Sequence, residues 1–335
     1  MVQQQQPDQR GPVLFLVLLL IVGLLVVAWG VGQEDSEAAD VDEAPSSVVE
    51  PSPSVVEPVE PPGPTQGEEP TPAPASLPGG GTKIFGGNHF LVAYYGTGQT
   101  PALGVLGESD PDTMDTRLHR AARPFGSAER PLRHVYELIV TVVDAHPGPD
   151  GDYSHDIPRS VVEQYVEAAH RNGALLLLDI QPGRTGFLDV AKRWAWALRD
   201  PWVGLALDPE WRMGEHQVPA QTIGQVRAAE VNRTSAWLAS LTREEGLPEK
   251  LFVLHQFRTD MVLGIDQVRR RPGLAMVQHV DGFGTRQQKR ATYAAVARPR
   301  QFTMGFKLFY DEDVDRMGPA AVHALRPRVR FVSFQ

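Results

Sequence analysis

The chain has 335 residues, a formal charge of −9 and no cysteine, which excludes disulfides, thiolate metal sites and lipid attachment through an N-terminal cysteine. Its charge is unevenly spread: residues 33 to 81 hold eleven acidic residues and no Lys or Arg, while the first 32 residues are neutral, so the remainder carries +2. That remainder has no basic stripe, and no nucleic-acid partner is expected.

Between Pro12 and Gly32 there is no charged residue, and "VLFLVLLLIVGLLVVAWG" is long enough to cross a bilayer as a helix. Arg10, partly offset by Asp8, precedes this run, and Glu34, Asp35 and Glu37 follow it. The asymmetry places the N-terminus inside and the bulk of the chain outside the cell membrane. A cleaved signal peptide is the alternative, but the apolar core exceeds the usual length and no small-x-small site follows. Residues 1–32 are therefore expected to be a cytoplasmic tip and a single-pass anchor. Residues 33–82, with a repeated "SVVEP" and many prolines, cannot bury a core and are expected to form a disordered acidic stalk.

Residues 83–335 are expected to be one barrel domain. Eight apolar runs recur there: 89–96, 136–144, 174–181, 202–210, 251–257, 274–284, 303–310 and 329–335. Continuous apolar runs are the pattern of parallel strands buried on both faces. Helical stretches separate them, such as "PRSVVEQYVEAAHRNG" with proline at its start and glycine at its end, and "QTIGQVRAAEVNRTSAWLASLTREEG". Eight strands alternating with helices predict an α/β fold of the (β/α)8 type, a TIM barrel. An open doubly wound sheet is the alternative, but "YYGTGQTPALGVLGE" after the first strand lacks GxGxxG spacing.

In such barrels catalytic residues gather at the C-terminal ends of the strands. The fourth run, "VGLALDPEW", ends in Asp208 and Glu210, which as strand residues two apart would face the mouth together. Two carboxyls that close oppose each other's ionisation, so one is expected to stay protonated and able to act as a general acid. Polar residues end the other runs too: Tyr94 and Tyr95, Asp144 and His146, Asp179 and Gln181, His255, Gln256 and Arg258, His279 and Asp281, and Lys307 and Tyr310. Each also has a structural reading. Asp208 could cap its turn or pair with Arg212, Asp144 and Asp179 could cap the elements that follow, and Asp281 could serve a glycine-rich turn. Lys307, inside an apolar run, is expected to meet a carboxylate such as Asp208 or Asp281. His146, His255 and His279 could be ligands, but no HxH or HExxH pair is present, and neither a metal nor a cofactor is expected. Trp211 is the tryptophan best placed to stack on a ring-shaped ligand.

The "LDPEW" stretch resembles the Asp-x-Glu ending of strand 4 in chitinase-like and lysozyme-like glycoside hydrolases with (β/α)8 barrels. The resemblance implies that Glu210 is the general acid, that Asp208 supports it, and that Asp144, Asp179 and Asp281 line sugar subsites. Two departures stand out: the aspartates that precede the motif in chitinases are replaced by Gly204, Ala206 and apolar residues, and Pro209 lies inside it. Over residues 84–335 the chain also resembles membrane-anchored or secreted actinobacterial barrel proteins with stretches like "LDPEW", "VDGFGTR" and "FKLFY", which implies fold and location.

Three functional readings follow. The first is a glycoside hydrolase outside the cell membrane with a cell-envelope or environmental polysaccharide as substrate, Glu210 as acid and Asp281 or Asp179 as the second carboxylate. In this reading Tyr95, Asp144, His146, Gln181, Trp211, His255, Gln256, Arg258, His279, Lys307 and Tyr310 contact the substrate. The second is a non-catalytic barrel that binds glycan or protein, its acids forming a structural network around Lys307 and Arg258. The third is a metal-dependent hydrolase using Asp144, His146, His255, His279 and Asp281.

Overall fold

The computed structural model describes residues 75–335. The expected anchor and most of the expected stalk lie outside the described residues. Among the described residues no helix is long and apolar enough to cross a membrane.

Eight parallel strands follow one another: β1 (Phe90–Gly96), β2 (Leu132–Val143), β3 (Leu175–Ile180), β4 (Val203–Leu207), β5 (Lys250–Gln256), β6 (Leu274–Val280), β7 (Thr303–Leu308) and β8 (Val329–Phe334). Each pairs with its neighbour in sequence, and β1 pairs with both β2 and β8. The sheet is therefore a closed barrel, and the open doubly wound alternative, which needs two edges, does not apply. Every apolar run of the sequence overlaps one of these strands, β2 starting four residues and β5 one residue before its run.

The runs are apolar throughout because alternate side chains enter two different layers. On β3, Leu175 and Leu177 pack inside the barrel with Val135, Leu251 and Phe331. Leu176 and Leu178 belong to the outer layer, with Val162 and Leu238 of the surrounding helices. Burying a side chain of this size contributes roughly 1.5–3 kcal/mol, so both layers matter to stability.

The helices are α1 (Pro111–Ala122), α2 (Arg159–Asn172), α3 (Phe187–Arg193), α4 (Ala195–Leu198), α5 (Ala228–Glu244), α6 (Arg286–Val296) and α7 (Pro319–His323). Helix α2 ends at Gly173, whose left-handed backbone (φ 67°) closes it as its sequence predicts. Helix α6 starts with a capping box between Thr285 and Gln288. The long helix predicted over 221–246 is shorter than expected. Gly224 donates its N–H to the Glu210 carbonyl at 2.6 Å, and Val226–Arg227 pairs with Val262–Leu263, so these residues are held in a loop over the mouth instead.

Gly204 on β4 faces inward beside Leu177, and a Cβ there would run into the backbone carbonyl of Leu251. Gly204→Ala is expected to push β4 from β5 and to cost about 1–3 kcal/mol. Calorimetry checks this: an unchanged melting temperature would mean the strands have room to give.

The N-terminal end of the barrel is closed by residues that the sequence assigns to the stalk. Leu77 and Ile84 are buried in the inner layer. The buried Arg133 guanidinium donates to the carbonyls of Pro78 (3.1 Å), Lys83 (3.2 Å) and Ile84 (2.7 Å). Trp202 Nε1 donates to the Ser76 carbonyl at 2.8 Å. Glu249 accepts from the Ile84 N–H at 2.9 Å. The folded body thus starts several residues before position 83, because one leucine in a polar stretch suffices as a plug when a buried arginine holds the backbone around it.

Candidate active site

Two residues beyond the inner apolar layer, the alternation that carries Ala93, Val135, Leu177, Ala206, Val253, Val277 and Phe331 inward reaches Tyr95, Glu137, Asp179, Asp208, His255, His279 and Ser333. Lys307 on β7 stands opposite Ser333 in the register. Each strand thus supplies one inward polar side chain to this level, at or next to its C-terminal end except for Glu137 in the middle of β2, and all eight are buried. Asp208 lies one residue past β4 and Ser333 one residue before the end of β8.

His255 is the hub. Its Nε2 lies 3.1 Å from Glu137 Oε1 and 3.7 Å from Asp179 Oδ2, and its Nδ1 lies 2.9 Å from Asp281 Oδ2. Burial alone would drive an imidazole neutral, but the hydrogen bonds to Asp281 and Glu137 and the charge of Asp179 outweigh it and hold His255 well above its ordinary value. His279, its ring 5.2 Å from that of His255, is pushed the other way by burial and by the charges of His255 and Lys307. Its Nε2 lies 3.3 Å from the Ser333 hydroxyl.

The carboxyls divide in the same manner. Burial, reinforced by Asp208 and Asp281, raises Glu210 well above the usual range. Burial also raises Asp179 to about 8 and Asp208 to about 6, in both cases against the pull of His255. Asp281 goes down: burial opposes its charge, but the hydrogen bond and charge of His255 prevail. Five carboxyls therefore share one cluster with the two imidazoles of His255 and His279 and the Lys307 ammonium.

The expected partner of Lys307 is corrected. Its ammonium sits 3.5 Å from the Tyr95 ring centroid and 3.2 Å from Gln335 Oε1, and among the described residues it makes no ion pair. A cation over an aromatic face needs no carboxylate within contact distance. Its charge still reaches Asp179, Asp208 and Asp281.

The expected geometry of Asp208 and Glu210 is corrected too. Strand β4 ends at Leu207, and Pro209–Trp211 is a 3₁₀ turn capped by Asp208, whose Oδ1 accepts the Glu210 N–H at 3.2 Å. Proline starts the turn and ends the strand pattern. Asp208 thus both caps and belongs to the cluster, while Glu210 is brought to it by the turn and stays partly exposed. Trp211 is buried rather than open to the mouth.

Of the other candidates, Gln181 reaches the cluster, its Nε2 donating to the Tyr95 hydroxyl at 3.3 Å. Tyr310 stands on the rim, 38% exposed, its hydroxyl 3.2 Å from that of Tyr94. Gln256 points away from the interior: it accepts from Gln278 at 2.7 Å and donates to the Arg258 carbonyl at 2.8 Å, in the layer under α6. Arg258 pairs with Asp260. Asp144 pairs with the exposed His155 at 2.8 Å, and His146 is exposed, so the five residues of the metal-hydrolase reading are not brought together. Glu137, Ser333 and Gln335 were not anticipated. The signal for Glu137 was present: it shares parity with Val135 inside an apolar run, where a lone carboxylate needs a partner.

No family model matches the chain, and no curated protein matches it. Fold and site together define a parallel (β/α)8 barrel whose C-terminal mouth encloses a buried cluster of carboxyls around one histidine.

Proposed function

We propose that this protein is a glycoside hydrolase, held outside the cell membrane by its N-terminal segment and acting on a cell-envelope or environmental polysaccharide, with Glu210 as general acid. The observation that carries this reading is that two carboxyls following the ends of strands β4 and β6 are set in opposite directions, Glu210 up and Asp281 down. Glu210 is partly exposed and kept protonated by burial and by Asp208 and Asp281. Asp281 has Oδ2 tied to His255 and Oδ1 without a partner. Glycoside cleavage asks for this division of labour: one carboxylic acid gives its proton to the leaving oxygen, and one carboxylate faces the developing oxocarbenium ion or activates water. Asp208 adds its charge to the burial that keeps the proton on Glu210.

The test is sugar release from cell-wall preparations and a panel of soluble polysaccharides by the wild-type protein and Glu210→Gln. The variant is expected to be slower by roughly 10²–10⁴-fold while still binding glycan. Activity of the wild type should fall as pH rises and Glu210 gives up its proton, and that limb should be missing from any residual activity of Glu210→Gln. No release from any substrate, with glycan binding equal in both proteins, would replace this reading with a binding barrel.

A further inference from the structure

We propose that Glu137, Asp179 and His255 form a site for one divalent transition-metal cation of the zinc type, at the bottom of the cluster. The proposal goes beyond the glycosidase reading and does not rest on it.

Two independent observations point to it. The first is geometric: one donor atom from each residue lies within 4.8 Å of the others, with His255 Nε2 at 3.1 Å from Glu137 Oε1 and 3.7 Å from Asp179 Oδ2. Zinc bonds of roughly 2.0–2.2 Å put neighbouring donors of a tetrahedral ion about 3.3–3.6 Å apart, and the two observed spacings bracket that range. The second is an unmet need. Asp179 is fully buried and neither of its oxygens has a hydrogen-bond partner, and Glu137 Oε2 has none either. Buried carboxyl oxygens are rarely left bare, since losing water without a replacement is costly. Protonating Asp179 would not cure this, because its O–H would need an acceptor and the remaining oxygen a donor. A cation bound by one oxygen of each carboxylate gives the buried Asp179 the partner that the protein itself does not supply.

The surroundings fit. Asp281 holds the Nδ1 proton, so a cation that displaces the Nε2 proton shared with Glu137 would find a lone pair there, the carboxylate–histidine–metal arrangement of known zinc sites. Lys307 is turned onto Tyr95 and Gln335 and supplies no contact to Asp179. Two carboxylates and one imidazole leave a fourth position open, and the nitrogen donor favours zinc over magnesium, which prefers oxygen ligands in an octahedron.

The experiment uses the full chain in detergent, stripped with a chelator and titrated with Zn²⁺ and, separately, Mg²⁺ by calorimetry. One equivalent of Zn²⁺ and no Mg²⁺ is expected. Asp179→Asn and Glu137→Gln should each weaken zinc binding by 100-fold or more, while Glu210→Gln and the surface variant His155→Gln should leave it unchanged. No zinc uptake by the wild type, or equal uptake by Asp179→Asn, overturns the site. Should the ligand variants fail to fold, anomalous scattering at the zinc edge from wild-type crystals decides: a peak among the three residues supports the site, and one elsewhere overturns it. Since binding is read by heat or scattering, an inactive protein that takes up zinc refutes the glycosidase and keeps the metal.

Discussion

His255→Ala is expected to be the most damaging single change in the barrel, lowering stability by about 3–5 kcal/mol. The reason is electrostatic rather than steric. The imidazole touches Glu137 and Asp281 directly and lies 3.7 Å from Asp179, in a region where the neighbouring cations are engaged elsewhere, Lys307 over Tyr95 and Lys289 on Asp313. Without His255 these carboxyls are buried with no opposite charge in contact, and a broken buried pair costs far more than a pair that was never built. In a domain of this size the loss corresponds to a fall of roughly 6–20 °C in melting temperature. Thermal denaturation in the presence of chelator measures it. A companion variant, His255→Gln with Asp281→Asn, removes charge from both sides and should recover part of the loss. A melting temperature within a degree or two of wild type for His255→Ala would mean that the carboxyls are satisfied without it.

The second large effect concerns where the fold starts. A chain beginning at residue 83 is expected to lose about 5 kcal/mol relative to one beginning at residue 75, a large fraction of the 5–15 kcal/mol that holds a typical domain together. Removing Leu77 empties a place in the inner layer, for which roughly 2–5 kcal/mol is the usual penalty. The buried Arg133 bond to Pro78 goes with it, and a buried donor without a partner costs about 1–3 kcal/mol, while the exposed Trp202 bond to Ser76 adds little. Denaturant titration of the two chains checks this. Coincident unfolding curves would show that residues 75–82 decorate the barrel without closing it, and Leu77→Ala in the longer chain isolates the share that comes from packing.

The strands were legible because their composition has one cause. A strand covered on both faces is apolar along most of its length, and each of the eight runs overlaps one β-strand. Their position at the ends of runs also singled out Tyr95, Asp179, His255, His279 and Lys307, all of which are buried. It failed where the chain leaves the strand. Asp208 and Glu210 are two apart, yet a 3₁₀ turn lies between strand and acid, so their spatial relation depends on Pro209 rather than on alternation. At β2 the mistake was to take the last polar residues of the run, Asp144 and His146, for the site. The strand is twelve residues long and its inward carboxyl, Glu137, lies in its first half. Gln256 shows the limit from the other direction: a polar residue at a strand end faces whichever layer its parity dictates, and its parity is that of Phe252 and Leu254, which lie in the outer layer. No property of the run at residue 77 marks it as a plug. That role exists only because the distant Arg133 reaches its backbone.

The placement of the polar ring on strands has a dynamic consequence. Loop-borne sites can fluctuate open while the body beneath them stays folded, since loops draw on the low end of local stability. Here all ring members except Asp208 sit within strands paired on both sides, and Glu210 and Asp281 follow within three residues of a strand end. Displacing one member means breaking a ladder shared with two neighbours. Amide protons around the ring should therefore be among the slowest in the protein to exchange with solvent, and on heating the site should persist until the whole barrel melts.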